Sequence, residues 1–163
     1  MNDAGRIRVG DAVPRFGLKN QTGSDWDIGP LIGKKNLVIF FYPKDDTPGC
    51  TKEACRFRNE FGRMRELDAE IIGISSDEVA SHRRFSEKYD LQYTLLSDPE
   101  NSVRKIFGVP SSLFGLIDGR VTYVVDKRGI VIHIFESQFQ AERHVREAIE
   151  VLAATSVRPN RSA

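Results

Sequence analysis

The sequence predicts an α/β fold: a mixed, mostly parallel sheet flanked by helices, with a hairpin added at the N-terminus. Three observations predict it. Residues 37–42 (Leu-Val-Ile-Phe-Phe-Tyr) form an unbroken apolar, β-branched and aromatic run, as a strand buried on both faces requires. Segments of helical period then alternate with further short apolar runs, the pattern of parallel strands joined by crossover helices. Late in the chain, residues 121–125 and 130–135 flank Asp126-Lys127-Arg128-Gly129 and read as an antiparallel hairpin, which makes the sheet mixed.

In chain order, Val13, Phe16 and Leu18 precede a turn at Asn20-Gln21-Thr22-Gly23, and Trp26 and Ile28 resume beyond it, giving the N-terminal hairpin. Gly29-Pro30 ends it. After residues 37–42, Pro43 stops the strand. Thr47 then stands as N-cap with Pro48 as first helical residue. Ala54, Phe57, Phe61, Met64 and Leu67 recur at spacings of three and four, one continuous helical face. Residues 70–75 form a second buried strand, and residues 78–89 a helix with Val79, His82, Phe85 and Tyr89 inward. A short strand at 94–96 follows. Asp98-Pro99-Glu100 opens a short helix ending near Gly108. Residues 109–118 have no period and read as an apolar loop (Leu113, Phe114, Leu116, Ile117), and residues 140–153 form the last helix. A thioredoxin-like sandwich fits this order, and so does a flavodoxin-like sheet; alternation alone does not choose between them.

The whole chain of 163 residues is read as one domain, with polar, flexible tails at 1–8 and 156–163. A net charge of +1, with both signs interspersed, leaves no electrostatic footprint for nucleic acid or an anionic membrane. No apolar run is long enough to cross a bilayer, and the first residues lack the apolar core of a signal peptide, which favours the cytoplasm. Two cysteines are too few for a disulfide-stapled scaffold or a four-ligand zinc site. His82, His133 and His144 are dispersed without ligand spacing, so no metal is expected.

The chemistry concentrates at residues 43–55. Cys50 falls in the first turn of the helix capped by Thr47, where backbone N–H groups lack acceptors and the helix dipole is positive. Such sites lower a cysteine pKa from about 8.5 to roughly 3.5–7.5. An illustrative drop of about 2.5 units raises the thiolate fraction on the order of 30-fold at neutral pH. Intrinsic nucleophilicity falls roughly tenfold in return, so the net gain is only about threefold. Most of any rate enhancement must therefore come from a donor that stabilises developing negative charge. Cys55 lies five residues further on; on an intact helix the two Cα atoms stand about 8–9 Å apart, beyond the ~7 Å at which a disulfide closes. A bond between them requires the first turns to unwind.

The pattern Pro43-x-x-x-Thr47-x-x-Cys50, extended by Pro48-Gly49, Glu53 and Cys55, resembles the peroxiredoxins, and more narrowly their Q or bacterioferritin-comigratory-protein group of atypical two-cysteine peroxidases. The resemblance extends more weakly from Val9 to Leu152, including Gly108-Val109-Pro110 and Gly119-Arg120-Val121-Thr122-Tyr123. It implies the thioredoxin-like fold and a thiol-dependent peroxidase acting on hydrogen peroxide and organic hydroperoxides. Cys50 would be the peroxidatic cysteine and Cys55 the resolving one, closing an intramolecular disulfide. Thr47 would hydrogen-bond peroxide and thiolate, Pro43 would pack over the site, and Arg120 would be the stabilising guanidinium. Glu53 would orient an arginine, and Pro48 supports the helix start. Thioredoxin or a similar dithiol would reduce the disulfide, with no metal, haem or flavin. A monomer suffices for such chemistry, and a weak dimer is compatible with it. Two rival readings are a thioredoxin-like disulfide carrier without peroxidase activity, disfavoured by the five-residue cysteine spacing, and a binding module working through the apolar 109–118 loop.

Overall fold

The computed structural model describes residues 5–112 and 117–157. The chain begins with a hairpin of β1 (Gly17–Asn20) and β2 (Asp25–Asp27). It continues through β3 (Asn36–Phe41), α1 (Pro48–Asn59), α2 (Phe61–Glu66), β4 (Ala69–Ser75), α3 (Val79–Tyr89), β5 (Thr94–Ser97) and α4 (Ser102–Phe107). A two-residue pair, β6 (Ser111–Ser112) and β7 (Ile117–Asp118), precedes β8 (Val121–Val125), β9 (Val131–Glu136) and α5 (Ala141–Val157). Leu113, Phe114 and Leu116 of the apolar loop lie outside the described residues.

The main sheet has seven strands in the order β2-β1-β5-β4-β3-β8-β9. Parallel pairing is confined to β3 with β4 and β4 with β5. The pairs β1–β2, β1–β5, β3–β8 and β8–β9 are all antiparallel, so the sheet is mixed as expected but not mostly parallel. The cause is connectivity. Only α1–α2 and α3 serve as crossovers that return the chain to the same end of the sheet, as parallel pairing needs. The connection through α4 and the β6–β7 pair brings β8 alongside β3 in the opposite sense.

Strand β3 explains the apolar run. Alternate side chains of a strand point to opposite faces, and here both faces are covered. Val38, Phe40 and Tyr42 join one cluster with Ala54, Phe57, Met64, Phe85, Val145, Ala148 and Leu152. Leu37, Ile39 and Phe41 join the other with Val13, Phe16, Ile28, Val103, Phe107 and Val121. Phe40 stacks on Phe57 with ring centroids 4.5 Å apart, which fixes α1 against β3. Burying each of these large side chains contributes roughly 1.5–3 kcal/mol.

Three further differences have local causes. The helical face running to Leu67 is carried by two helices, because Glu60 leaves helical geometry at φ −98°, ψ 9°. Asn59 and Gly62, both weak helix formers, flank the break, yet Met64 and Leu67 still reach the same cluster. Helix α4 starts at Ser102 rather than at Pro99, with the Asp98 carboxylate accepting from the backbone N–H groups of Val103 and Arg104. Finally, the described part of the N-terminal tail is tied down. The Ile7 N–H donates to the Phe107 carbonyl, Arg6 pairs with Glu136, and Ile7 packs on the second cluster. A polar composition concealed this, because the anchors are one apolar side chain and one distant carboxylate.

Candidate active site

The site forms where the C-terminal end of β3, the N-terminus of α1 and the start of β8 meet. Pro43 is half-buried two residues past the end of β3, Asp45 and Asp46 make the turn, and Thr47 is the N-cap with extended backbone at φ −98°, ψ 156°. The expected side-chain cap is absent: the Thr47 hydroxyl donates instead to the Lys44 carbonyl at 2.8 Å. Its proton is thus committed while its lone pairs still accept. Pro48 is exposed at the first helical position, where its missing N–H costs nothing.

Cys50, on the third residue of α1, is 1% exposed, and its thiol is free. The Arg120 guanidinium donates one N–H to Cys50 Sγ at 3.3 Å, another to Glu53 Oε1 at 2.8 Å, and its Nε–H to the Gln138 carbonyl at 3.2 Å. Those three bonds hold the fork in one orientation. Burial works against the Arg120 charge, but Glu53 and Cys50 outweigh it and its pKa stands above the ordinary value. Glycine on either side lets the fork in. A Cβ on Gly49 would stand 3.1 Å from the guanidinium, and one on Gly119 would overlap the Pro110 carbonyl.

Glu53, one helical turn after Cys50, is fully buried, and burial pushes its carboxyl up to about 7 in spite of Arg120. Its Oε2 has no hydrogen-bond partner. The structure thus brings Cys50, Glu53 and Arg120 into direct contact and sets Thr47 at the mouth of the same turn. Cys55 is half-buried on the same unbroken helix, with its thiol free and unbonded to Cys50.

Sequence reasoning missed the residues that brace this arrangement. Arg104, 5% exposed, donates to the Tyr42 carbonyl at 2.9 Å and the Gly119 carbonyl at 2.8 Å, joining the end of β3 to the residue before Arg120. Asp45 in the turn accepts from the Tyr42 hydroxyl at 2.6 Å and the Ser81 hydroxyl at 2.8 Å, and pairs with His82 at 2.7 Å. His144 lies in the second layer behind Glu53. For His144 the only sequence signal was its place beside Val145 on the apolar face of the last helix. For Arg104 it was its place between Val103 and Phe107.

Asp45, Asp77 and His82 are the one group among the described residues with metal-ligating atoms gathered within 4.8 Å. Their atoms are already engaged. The other ring nitrogen of His82 donates to the Leu96 carbonyl at 2.9 Å, and Asp77 accepts from the Asp45 N–H and the Ser75 hydroxyl. The group is a hydrogen-bonded pin that fixes the 43–47 turn to α3.

This geometry, a buried thiol at a helix N-terminus under an arginine fork, defines a class of thiol-based redox site on a thioredoxin-like fold. The AhpC/TSA family model matches residues 9–134. Chloroplastic peroxiredoxin Q of Triticum aestivum is 48% identical over 148 residues, covering 91% of this chain and 68% of the relative. The Arabidopsis thaliana protein of that name is 49% identical over 149 residues, with the same coverage. Peroxidoxin BcpB from Mycobacterium tuberculosis superposes with a TM-score of 0.85 at 36% identity, covering 94% of this chain and all of that one. A Xanthomonas campestris peroxiredoxin Q structure matches with a TM-score of 0.77 at 28% identity, covering 85% and 90%. The chain belongs to the AhpC/TSA family and, within it, to the peroxiredoxin Q group. It is a thiol-dependent peroxidase.

Proposed function

We propose that the enzyme reduces hydrogen peroxide and organic hydroperoxides through Cys50 as the attacking thiolate and Cys55 as the resolving thiol. The observation that carries this reading is the Arg120 guanidinium, donating at once to Cys50 Sγ and Glu53. It supplies the donor that an exposed helix N-terminus alone does not. In the first step the sulfur electron pair attacks the terminal peroxide oxygen. The O–O bond breaks, Cys50 becomes a sulfenic acid, and the alkoxide or hydroxide takes a proton to leave as alcohol or water. Thr47, its proton spent on Lys44, accepts a hydrogen bond from the peroxide, while Arg120 holds the negative charge and Pro43 limits water at the mouth. Glu53 fixes the Arg120 fork. Pro48 begins the helix without a wasted donor.

The Cys55 thiol then attacks the sulfenic sulfur, releasing water and forming the Cys50–Cys55 disulfide. On an intact helix such as α1, ideal geometry sets two Cα atoms five residues apart about 8–9 Å from each other, so the first turns unwind before this step. A dithiol of the thioredoxin type takes over the disulfide and restores both thiols. A monomer is sufficient, since both cysteines come from one chain. No metal or cofactor enters. We place this cycle in the cytoplasm, a compartment that keeps thiols reduced; the Triticum and Arabidopsis relatives are described as chloroplastic.

Steady-state peroxide consumption with thioredoxin and its reductase tests the reading. Cys50→Ser should abolish it, whereas retained turnover in that variant would contradict it. Rapid exchange with protein disulfides and no peroxide consumption by the unaltered enzyme would favour the disulfide-carrier alternative.

A further inference from the structure

Glu53 Oε2 is a fully buried carboxylate oxygen without a hydrogen-bond partner, an expensive arrangement for an anion. It faces His144 Nδ1 of α5 at 3.6 Å. The hydrogen bonds of that ring fix its tautomer. His144 Nε2 lies 2.8 Å from the Ser137 carbonyl, which can only accept, so Nε2 carries the proton. Nδ1 lies 2.8 Å from the Thr122 hydroxyl. Full burial lowers the His144 pKa to about 4, so the ring is neutral and Nδ1 presents a lone pair, toward which the Thr122 hydroxyl donates. An anionic Oε2 and an imidazole lone pair therefore point at each other without a proton between them. Nδ1 already accepts from Thr122, so Oε2 is the atom left without a donor; a proton on Oε2 removes the opposition and can share the Nδ1 lone pair with the Thr122 hydroxyl, while Oε1 is held by Arg120.

We propose that His144 is the positioning partner of Glu53: its Nδ1 lone pair, 3.6 Å from Oε2, favours a proton on that oxygen and thereby sets how the Arg120 guanidinium is shared between Glu53 and Cys50. With Glu53 anionic, Arg120 is divided between a carboxylate and the sulfur. With Glu53 neutral, its full charge is available to Cys50 and the peroxide. The other groups facing this pair are few. Glu53 feels Arg120, just before β8, and is coupled to Tyr93, which stands before β5 and donates to the Ala54 carbonyl. His144 feels Arg120 and also Glu147, which is engaged by His133 and Arg143. The Phe135 ring closes its remaining side at a centroid distance of 4.6 Å.

The proposal rests on the peroxidase reading only for its consequence, and its first test needs no peroxide. The carbonyl stretch of protonated Glu53, assigned by its loss in Glu53→Gln, is followed by infrared difference spectroscopy of the reduced protein across pH. The midpoint should lie near 7 in the parent chain. His144→Gln keeps a donor for Ser137 while replacing the basic Nδ1 lone pair with a far less basic amide oxygen, and should lower the midpoint by about one unit, a tenfold change in proton affinity. Thr122→Val leaves the fold-determining ring in place and frees Nδ1 from its competing donor, and should raise the midpoint. Opposite shifts would not follow from a merely structural role. Midpoints unmoved in both variants, or moved in the same direction, would overturn the proposal; if His144→Gln does not fold, an unmoved or lowered midpoint in Thr122→Val suffices to do so. The pH profile of Cys50 oxidation should move with each infrared midpoint, and a profile that stays put would overturn the coupling through Arg120.

Discussion

At the scale of the residue, the site is a competition for one guanidinium. Arg120 donates to a buried carboxyl and a buried sulfur together, and neither acceptor has water to fall back on. The consequence for stability is measurable. Glu53 is a carboxyl whose pKa is raised on folding, from an ordinary 4.5 to about 7, so the folded chain holds more protons than the unfolded one between those values. Its contribution to stability therefore falls as pH rises through that window. His144 behaves oppositely: burial lowers it from 6.5 to about 4, the unfolded chain holds the extra proton there, and stability rises with pH. The two slopes offset each other over their shared range and hide Glu53 in the parent profile. Glu53→Gln removes only the falling slope, so the stability of parent relative to variant should drop by about 3 kcal/mol from about pH 4.5 to about pH 8. Urea unfolding at those pH values measures it, and a pH-independent difference would mean Glu53 is anionic throughout. Among these residues, Cys50 and Thr47 were legible because they share one short helix start, whereas Glu53, which periodicity places off the apolar face, was named only through family resemblance and is in fact fully buried. Arg120 was legible only through family resemblance, since an arginine at a strand end otherwise reads as a surface charge. His144 and Arg104 were not legible as site residues, because a buried polar group is recognised by its partners and these lie across the fold.

At the scale of the element, α1 has to be both a scaffold and a hinge. Phe57 stacked on Phe40, the buried Ala54, and the Glu53–Arg120 pair hold it closed. The Tyr93 hydroxyl adds a bond to the Ala54 carbonyl at 2.7 Å, between the two cysteines. Opening α1 must give that bond up. Tyr93→Phe, which keeps the ring in place, should therefore speed closure of the Cys50–Cys55 disulfide about fivefold after a peroxide pulse, the effect of one hydrogen bond worth ~1 kcal/mol. Stopped-flow oxidation followed by rapid acid quench reads the rate, and unchanged closure would mean that α1 does not open beyond Ala54. In Cys55→Ser the same experiment should leave Cys50 as sulfenic acid after one turnover. The helix itself was legible to its N-cap. Its break at Glu60 was not, because spacings of three and four tolerate a small kink that keeps the apolar face turned inward.

At the scale of the whole molecule, the sheet brings together pieces far apart in sequence. The end of β3 and the start of β8 are antiparallel neighbours, with Phe41 opposite Val121, which sets Arg120 beside the helix that follows β3. This pairing was the part of the fold that alternation obscured: helices between strands announce crossovers, yet which strand the chain returns beside, and in which sense, is decided by long-range packing. Arg104 of α4 reinforces the junction from the other layer. Arg104→Met removes two charge-assisted bonds to buried carbonyls and should cost about 2–4 kcal/mol in urea unfolding; a loss under ~0.5 kcal/mol would show that β3 and β8 hold the site without it. Whether peroxide oxidises Cys50, with Cys55 reaching it by unwinding within one chain, is read by adding one equivalent of peroxide to the fully reduced enzyme and taking its intact mass and a non-reducing peptide map. The product should be a single chain lighter by two hydrogens, with Cys50 linked to Cys55. A disulfide between two chains, or an oxidised Cys50 that persists beside a free Cys55 thiol, would contradict it.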